Sequence, residues 1–286
     1  MNGARYTAAM PFDVAAEVTE NRPLSADYNV LALAAPAIAA AAAPGQFVMI
    51  KVGTGTLARH DPLLRRPFSV FEVLRAPDGT PAGITLLNKR IGVSTSLVYD
   101  ARPGQVAACL GPLGRPFSLI HPPSEAWMVA GGVGLAPFAA LAGRLRARGV
   151  ACTLFYGARR GDELFYLDFF RSLGVELVLT TEDGSVGERG RVIAPLERRL
   201  AAREALTDAP PVALYACGPE GMLAAAAATA ARFQRPCEVS VERIMGCGLG
   251  GCYSCVVPMR DDDGRLHHVR SCLAGPVLAA DRIDWG

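Results

Sequence analysis

The sequence predicts a multidomain β and α/β protein, in which an antiparallel β-barrel is followed by a doubly wound parallel sheet and a short cysteine-rich segment. Between residues 10 and 118, short apolar or alternating runs are separated by Gly, Pro or Asp, which is typical of antiparallel strands. From about residue 125, apolar runs alternate with helical stretches, which favours a parallel sheet. Residues 242–286 contain too many glycines and are too few to form a core alone.

The strand predictions depend on specific runs. The barrel strands are expected at FDVAAEV, GQFVMIKV, PFSVFEV, GITLLNK and QVAACL, and the parallel strands at AWMVA, ACTLFYG, VELVLT, VALYAC and CEVSV. The helical stretches are LAPFAALAGRLRARG, DELFYLDFFRSLG, APLERRLAARE and GMLAAAAATAARF. Each of them joins two of the parallel runs, as crossover connections require.

With 286 residues, about half of them hydrophobic, the chain can bury more than one core. We expect the barrel over 1–120, the α/β domain over 121–236 and the cysteine-rich segment over 237–286. The N-terminus lacks the apolar core of a signal peptide. The most apolar run, 31–44, is too short to span a bilayer and contains Pro36. We therefore expect a cytoplasmic protein without membrane insertion, and the net charge of +2 does not predict nucleic acid as a partner.

Three cysteines and four glycines lie within ten residues of the segment ERIMGCGLGGCYSC. The cysteines Cys247, Cys252 and Cys255 have the spacing C-x4-C-x2-C, and Cys272 follows as a fourth. This spacing is the plant-type arrangement for a [2Fe–2S] cluster. Zinc is an alternative, although only Cys252 and Cys255 form the short pair that it prefers. Packing of the cysteines as small buried hydrophobic residues is another alternative, although the surrounding glycines fit it poorly.

Two glycine-containing motifs follow strands of the predicted parallel sheet. GGVGLAPF opens a helix after AWMVA, and CGPEGM follows VALYAC. Because both motifs lie at the carboxyl edge of one sheet, where backbone N–H groups are free, together they predict a dinucleotide site. A plain strand-to-helix turn is the alternative, since the first motif is not a strict G-x-G-x-x-G. The candidate residues are Gly131, Gly132, Gly134, Cys217, Gly218 and Pro219.

The barrel region contains LLRRPFSV at residues 63–70. Arg66 is suited to a phosphate, Pro67 fixes the backbone, and the Ser69 hydroxyl can bond to a ring nitrogen or oxygen. A surface arginine at the start of a strand is the alternative. The motif gains its significance from the other motifs in the chain.

With RPFS, GGVGLAP, CGPEGM and the cysteine loop in this order, the chain resembles the ferredoxin-reductase-like flavoproteins from about residue 10 to its end. It is most similar to the iron–sulfur electron-transfer subunits of class 1B dihydroorotate dehydrogenase, through ERIMGCGLGGCYSCVV…CLAGPV. The resemblance implies FAD in the barrel, NAD(H) in the α/β domain and a [2Fe–2S] cluster in the tail. The implied FAD contacts are Arg66, Pro67, Phe68, Ser69, Leu87, Asn88, Lys89, Ser94 and Thr95.

The chain departs from this family at the flavin turn. The usual G-x-G-T is Gly92-Val93-Ser94-Thr95 here, so Ser94 replaces a glycine that would approach the FAD pyrophosphate. We expect FAD to bind with a contact that differs in detail. Arg159 and Arg160 can in principle hold a 2′-phosphate. The family shares a basic residue here and uses NADH, so NADH is expected over NADPH.

A nicotinamide gives two electrons as hydride, whereas a [2Fe–2S] cluster accepts one, and a flavin can split the pair. The chain contains no side-chain constellation for oxidising an organic substrate. The resemblance therefore implies a catalytic FMN-containing subunit that oxidises dihydroorotate to orotate in pyrimidine biosynthesis, in a heterotetramer with two of each subunit. The alternatives are a reductase subunit of a sulfide dehydrogenase, hydrogenase or hydantoin-type enzyme, and a metal-binding regulator without flavin.

Overall fold

The computed structural model describes residues 10–53 and 62–286. Within them lie two seven-stranded sheets and one two-stranded hairpin. The strands are β1 (Phe12–Pro23), β2 (Tyr28–Ala34), β3 (Phe47–Val52), β4 (Arg66–Ser69), β5 (Glu72–Arg75), β6 (Pro81–Lys89), β7 (Val106–Leu113), β8 (Glu125–Gly131), β9 (Cys152–Ala158), β10 (Glu176–Thr181), β11 (Glu188–Arg189), β12 (Val212–Cys217), β13 (Cys237–Ser240), β14 (Val256–Arg260), β15 (Leu266–Arg270) and β16 (Val277–Ala279). The helices are α1 (Pro36–Ala41), α2 (Val93–Tyr99), α3 (Phe138–Arg146), α4 (Leu167–Ser172), α5 (Ile193–Glu204), α6 (Glu220–Arg232) and α7 (Ser271–Ala274). None of these helices is long and apolar enough to cross a membrane.

The first sheet has the strand order β4-β3-β7-β1-β2-β6-β5, and every pair in it is antiparallel. Its two edge strands, β4 and β5, belong to one continuous segment. Between them, the amide of Val70 donates to the carbonyl of Gln46 (3.0 Å) beside β3, and the amide of Phe71 donates to the carbonyl of Thr85 (2.9 Å) on β6. This segment therefore joins both edges of the sheet, and the predicted antiparallel barrel is confirmed.

Strands β2 and β6 bury both of their faces. Leu31 and Leu86 belong to the barrel interior, whereas Val30 and Leu87, of opposite parity, pack in a core shared with the α/β domain. Because neighbouring residues of a strand point to opposite faces, both parities must be apolar in such strands. This explains the apolar run in β2, and it places the end of β6 beside the second domain.

The second sheet has the order β11-β10-β9-β8-β12-β13-β16, and only β16 is antiparallel to its neighbour. The predicted doubly wound parallel sheet is confirmed, and its five predicted strands are β8, β9, β10, β12 and β13. The winding direction reverses between β8 and β12. Open sheets of this kind bind ligands beyond the carboxyl ends of the strands at such a reversal.

One predicted helix differs from the structure. The stretch 162–174 is helical mainly in α4, because Tyr166 takes a left-handed φ of 60° at the start of that helix. The rings of Phe165 and Tyr166 instead pack on the barrel. Their centroids lie 4.8 Å from Tyr28 and 4.6 Å from Phe71, respectively. Tertiary packing here overrides the local helix propensity.

A second aromatic contact joins the two domains. Phe117, after the barrel, is 3% exposed and packs against Phe138 (5.9 Å between centroids) and Tyr215 (5.4 Å). The hydroxyl of Tyr215 donates to the carbonyl of Ser118 (2.8 Å). The barrel and the α/β sheet are therefore held together by buried aromatic rings.

The chain after β13 first forms the cysteine loop and then the β14–β15 hairpin, before β16 returns to pair with β13. Both β13 and β16 lie in the expected segment 237–286, yet they belong to the α/β sheet. The pairing of β13 with β16 holds together the two ends of the segment that contains the cysteine loop and the hairpin. The expected domain boundaries stay a prediction.

We expect Phe117→Ala to destabilise the protein by about 3–5 kcal/mol, because it removes a buried ring that both domains contact. Urea unfolding, followed by far-ultraviolet circular dichroism, measures the shift. Phe12→Ala, at a ring that is 40% exposed, is the matched control and should shift the curve far less. Equal effects of the two substitutions would show that this contact does not carry the expected stability.

Candidate functional site

The four clustered cysteines lie on the loop between β13 and β14 and at the start of α7. Cys255 and Cys272 are buried, Cys247 is partly buried and Cys252 is exposed. They form two neighbouring pairs, since Cys252 interacts with Cys247 and Cys272 interacts with Cys255. Two pairs of thiols match the donor set of a cluster with two irons, each of which takes two thiolates.

The paired arrangement also bears on the zinc alternative. Within residues 10–53 and 62–286, no three His, Cys, Asp or Glu side chains surround the position of a single metal ion. Structural zinc needs four ligands around one centre, whereas a [2Fe–2S] cluster distributes its four thiolates over two irons. The two pairs of thiols match the second arrangement, and their C-x4-C-x2-C spacing is that of a plant-type cluster.

Hydrogen bonds within the loop support thiolates on its outer side. The amides of Leu249 and Gly251 donate to Sγ of Cys247 at 3.4 and 3.3 Å, and Oγ of Ser254 lies 3.1 Å from Sγ of Cys252. The bonds from Ser254, together with those from Cys247, lower the pKa of Cys252 to about 6.

The inner side of the loop has the opposite electrostatic environment. Burial, followed by the neighbouring Cys255, raises the pKa of Cys272 to about 12. Cys272 thus releases its proton with difficulty until a metal centre compensates the negative charge.

Glycines allow the loop to approach its surroundings closely. Gly248 has a φ of +72°, and a Cβ there would lie 2.6 Å from Cγ of Met49 on β3. Gly250 has a φ of +82°, and a Cβ there would lie 2.5 Å from Cδ1 of Leu273. Because any side chain would collide, the loop is pressed against both the barrel and α7.

The RPFS motif forms β4, which pairs with β3. In the β3–β4 register, Pro67 faces Met49, which is the residue that contacts the loop at Gly248. Neighbouring strands lie about 4.8 Å apart, so the flavin motif and the cysteine loop meet on one small area of the barrel. Arg66 donates to the carbonyl of Leu64 (3.0 Å) and makes no ion pair with a described carboxylate. Its guanidinium thus fits a phosphate-containing cofactor.

The end of β6 and helix α2 are joined by buried asparagines. The side-chain amide of Asn88 donates to Oδ1 of Asn29 (2.7 Å) and to the carbonyl of Thr95 (3.0 Å). The hydroxyl of Thr95 in turn accepts a hydrogen bond from the amide of Gly92 (2.9 Å). Asn88 has no exposed surface, and its predicted contact with FAD stays a prediction.

Leu87 and Lys89 flank Asn88 on β6. Leu87 packs in the core shared with the α/β domain, and Nζ of Lys89 lies 5.1 Å from the centroid of the Tyr28 ring. Ser94 is the second residue of α2, where a helical backbone accepts a serine without strain. The predicted difference in the pyrophosphate contact at Ser94 stays a prediction.

The two nucleotide motifs contact each other at the reversal point of the α/β sheet. Cys217 pairs in register with Ala130, and a Cβ on Gly134 would lie 2.2 Å from the carbonyl oxygen of Cys217. A Cβ on Gly131 would lie 2.9 Å from Cδ of Pro219. The two loops are therefore so close that only glycine fits at both positions. Together they form one continuous backbone surface.

The remaining residues of these motifs have particular environments. Gly132 and Gly218 adopt positive φ values of 55° and 154°, so their amides face directions that other residues reach with difficulty. Burial raises the pKa of Cys217 to about 12, against a hydrogen bond with Ser240, so this thiol is neutral at pH 7. Arg160 forms an exposed ion pair with Asp162 (3.2 Å), and the expected preference for NADH stays a prediction.

Two family models match the chain. Residues 242–284 match the iron–sulfur cluster binding domain of dihydroorotate dehydrogenase B, and residues 128–228 match an oxidoreductase NAD-binding domain. The first range contains the cysteine loop and the second contains both nucleotide motifs.

The chain is also similar to curated proteins over most of its length. It is 36% identical to the electron transfer subunit of dihydroorotate dehydrogenase B (NAD(+)) from Desulforamulus reducens, covering 88% of this chain and 90% of the relative. The chain belongs to this family of electron-transfer subunits. The corresponding subunit from Bacillus caldolyticus is 37% identical, over 84% of this chain and 86% of that relative.

Solved structures agree with the fold. The NADH-dependent reduced ferredoxin-NADP oxidoreductase, described for flavin-based electron bifurcation, superposes with a TM-score of 0.78 at 27% identity, covering 95% of this chain and 90% of that one. A cytochrome P450 reductase from Amycolatopsis superposes with a TM-score of 0.59 at 23% identity, over 78% of this chain and 67% of that one, and shows the shared fold alone.

Membership of the dihydroorotate dehydrogenase B family confirms the predicted electron-transfer function and the predicted FAD, [2Fe–2S] cluster and NAD(H). An electron-transfer subunit implies a catalytic partner subunit. Asn29, Met49 and Ser254, which contact the candidate site residues, were not predicted from the sequence. The position of Ser254 between two cysteines is a signal that could have identified it. Asn29 could have been identified as a polar residue in the apolar run of β2. Met49 has no local signal, because its role comes from its contact with the loop.

We expect Gly134→Ala to weaken NADH binding at least tenfold while FAD and cluster content stay unchanged, because the new Cβ would separate the two nucleotide loops. Rapid-mixing measurements of flavin reduction against NADH concentration give the apparent Kd. Gly143→Ala, on α3 with no atom within 4 Å of its Cβ, is the matched control. Unchanged NADH affinity in Gly134→Ala would contradict the placement of the nucleotide at this surface.

Proposed function

We propose that this chain carries electrons between NAD(H) and a catalytic FMN-containing subunit that oxidises dihydroorotate to orotate. The observation that carries the proposal is the contact of the cysteine loop with β3, one strand from the flavin motif on β4. A cluster held there lies between the flavin and the surface of the chain. The chain would then serve as a one-electron path in either direction.

The residues of the barrel and the α/β domain would bind and orient the cofactors. Arg66 would neutralise an FAD phosphate, and Ser69 would bond to the flavin ring. The backbone of Gly131 to Gly134 would hold the NAD pyrophosphate, and the neutral Cys217 would close the site beside the nicotinamide. A flavin bound by these residues would supply the chemistry that links two-electron hydride transfer to one-electron transfer.

We propose that Cys247, Cys252, Cys255 and Cys272 would hold the cluster, the first two from its solvent side and the last two from its barrel side. The inner pair shares a core with Met49 and therefore lies towards the flavin strand. Cys247 accepts the amide hydrogen bonds described above, and Cys252 is exposed to solvent. This orientation gives the cluster one side for the flavin and another for the partner.

The surface around the cysteine loop is suited to a protein partner. Tyr253 is 63% exposed, Ile244 85% and Leu249 54%, and all three residues lie on the loop that carries the outer cysteines. Exposed apolar groups in one patch indicate a surface that another protein covers. We propose that the FMN-containing subunit docks here, in a cytoplasmic heterotetramer with two of each subunit.

A reductase subunit for another redox enzyme is the second candidate. It is favoured by the likeness to the NADH-dependent reduced ferredoxin-NADP oxidoreductase, which covers 95% of this chain. The family relatives at 36% and 37% identity favour the dihydroorotate partner instead. Copurification of the native complex, with identification of the partner, distinguishes the two.

We expect Cys252→Ser to abolish most of the cluster absorbance and leave the flavin bands, because it removes one of the four thiolates. Iron and sulfide analysis and an anaerobic absorption spectrum measure this. Cys237→Ser, a partly buried position on β13, is the control and should keep both cofactors. Full iron and sulfide in Cys252→Ser would show that the ligand assignment is wrong.

We expect the isolated chain to reduce artificial dyes with NADH but to show no dihydroorotate-dependent NAD⁺ reduction, because it has no candidate base for the proton abstraction. Adding the catalytic subunit should create that activity. Tyr253→Asp should weaken the complex at least tenfold without loss of the cluster, whereas Tyr253→Phe should preserve it. Turnover of dihydroorotate by the isolated chain would contradict this division of labour.

A further inference from the structure

Arg270, on the hairpin after the cysteine loop, contacts two parts of that loop. It is the last residue of β15, two positions before Cys272. One guanidinium nitrogen, Nη1, donates to the carbonyl of Gly250 (2.6 Å), and the guanidinium carbon lies 4.6 Å from the centroid of the Tyr253 ring. Since Gly250 and Tyr253 lie on either side of Cys252, the Arg270 side chain contacts both flanks of that cysteine.

The backbone at one of these two contacts is strained. Tyr253 has a φ of 57°, a left-handed conformation that is unfavourable for any residue with a Cβ. Stacking of its ring on the guanidinium of Arg270 compensates for part of this strain. The conformation of the loop beside the outer cysteines thus depends on Arg270.

The charge of Arg270 is not neutralised by a carboxylate. Two other arginines of the same hairpin form ion pairs, Arg260 with Asp284 (3.1 Å) and Arg265 with Asp263 (4.0 Å). Among the residues that the structure describes, no acidic group forms such a pair with Arg270, which is also only partly exposed. Arginine side chains are charged at physiological pH, so a positive charge lies against Gly250 and Tyr253, the residues on either side of Cys252.

We propose that Arg270 is a positioning residue for electron transfer, which raises the reduction potential of the cluster and holds the loop in its conformation. The inference rests on the cluster ligands proposed above. A cluster that accepts one electron from the reduced flavin gains one unit of negative charge, and no proton is needed to balance the step. A nearby positive charge favours this reduced state by Coulomb attraction, and net charge is one determinant of cluster potentials.

The test compares Arg270→Gln, which keeps a donor and loses the charge, with Arg270→Lys, which keeps the charge. Arg265→Gln, near the tip of the same hairpin, is the control. Iron and sulfide content is measured first, and the potential is then measured by a redox titration followed by electron paramagnetic resonance. We expect Arg270→Gln to disfavour cluster reduction about tenfold, which is about 59 mV for one electron. Arg270→Lys and Arg265→Gln should stay close to the wild-type potential.

A second pair of variants leaves Arg270 in place, in case Arg270→Gln does not hold a cluster. Val256 lies directly opposite Arg270 on β14 and is 39% exposed, so a side chain there faces solvent beside the guanidinium. Val256→Glu should lower the potential relative to Val256→Gln, because the carboxylate neutralises the charge of Arg270. If this pair is used, equal potentials would overturn the proposal.

The outcomes separate the two proposals. A wild-type chain without iron and sulfide would contradict the proposed function itself. A full cluster with an unchanged potential in Arg270→Gln would overturn only the role of Arg270. Equal falls in Arg270→Gln and Arg270→Lys would also overturn it, because the charge would then have no effect. A fall in Arg270→Gln alone supports it.

Discussion

The contact between the glycine loop and β3 is the constraint on which the rest of the structure depends. Gly248 adopts a left-handed conformation, and its Cα is so close to Met49 that no side chain fits between them. This contact buries Cys255 and Cys272 in a small core with residues of β3 and β7. Without it, the cysteine loop would be only an exposed turn. With it, the loop packs against the wall of the barrel.

A second packing arrangement holds the barrel against the α/β domain. Val30 and Leu87 of the barrel share one core with Leu135 and Phe138, which lie in the first nucleotide motif. The end of β6 and the turn after β8 are therefore held side by side, and both belong to predicted cofactor sites. If the proposed sites hold their cofactors, these two contacts would set the order NAD(H), FAD, cluster. The barrel is central because both contacts are made on its surface.

Local sequence patterns predicted much of this arrangement and failed where the cause is a distant contact. The five strands of the α/β sheet and the meeting of the Gly134 and Cys217 motifs follow from alternation, since parallel strands share one carboxyl edge. The closure of the barrel through Val70 and Phe71 could not be predicted, because its partners lie on strands far apart in sequence. The shortened α4 and the contacts of Arg270 have the same origin. In each case a tertiary contact determines the conformation, and the local pattern contains no trace of it.

The central claim is that electrons pass directly from the flavin to the cluster within this one chain. Anaerobic addition of NADH to the isolated chain, with freeze-quenched electron paramagnetic resonance and absorption measured in parallel, tests it most directly. The account predicts that the signal of the reduced cluster develops as the flavin is reduced, with no partner present. If the flavin is reduced while the cluster stays oxidised until a partner is added, the contact between the loop and β3 does not provide the electron path.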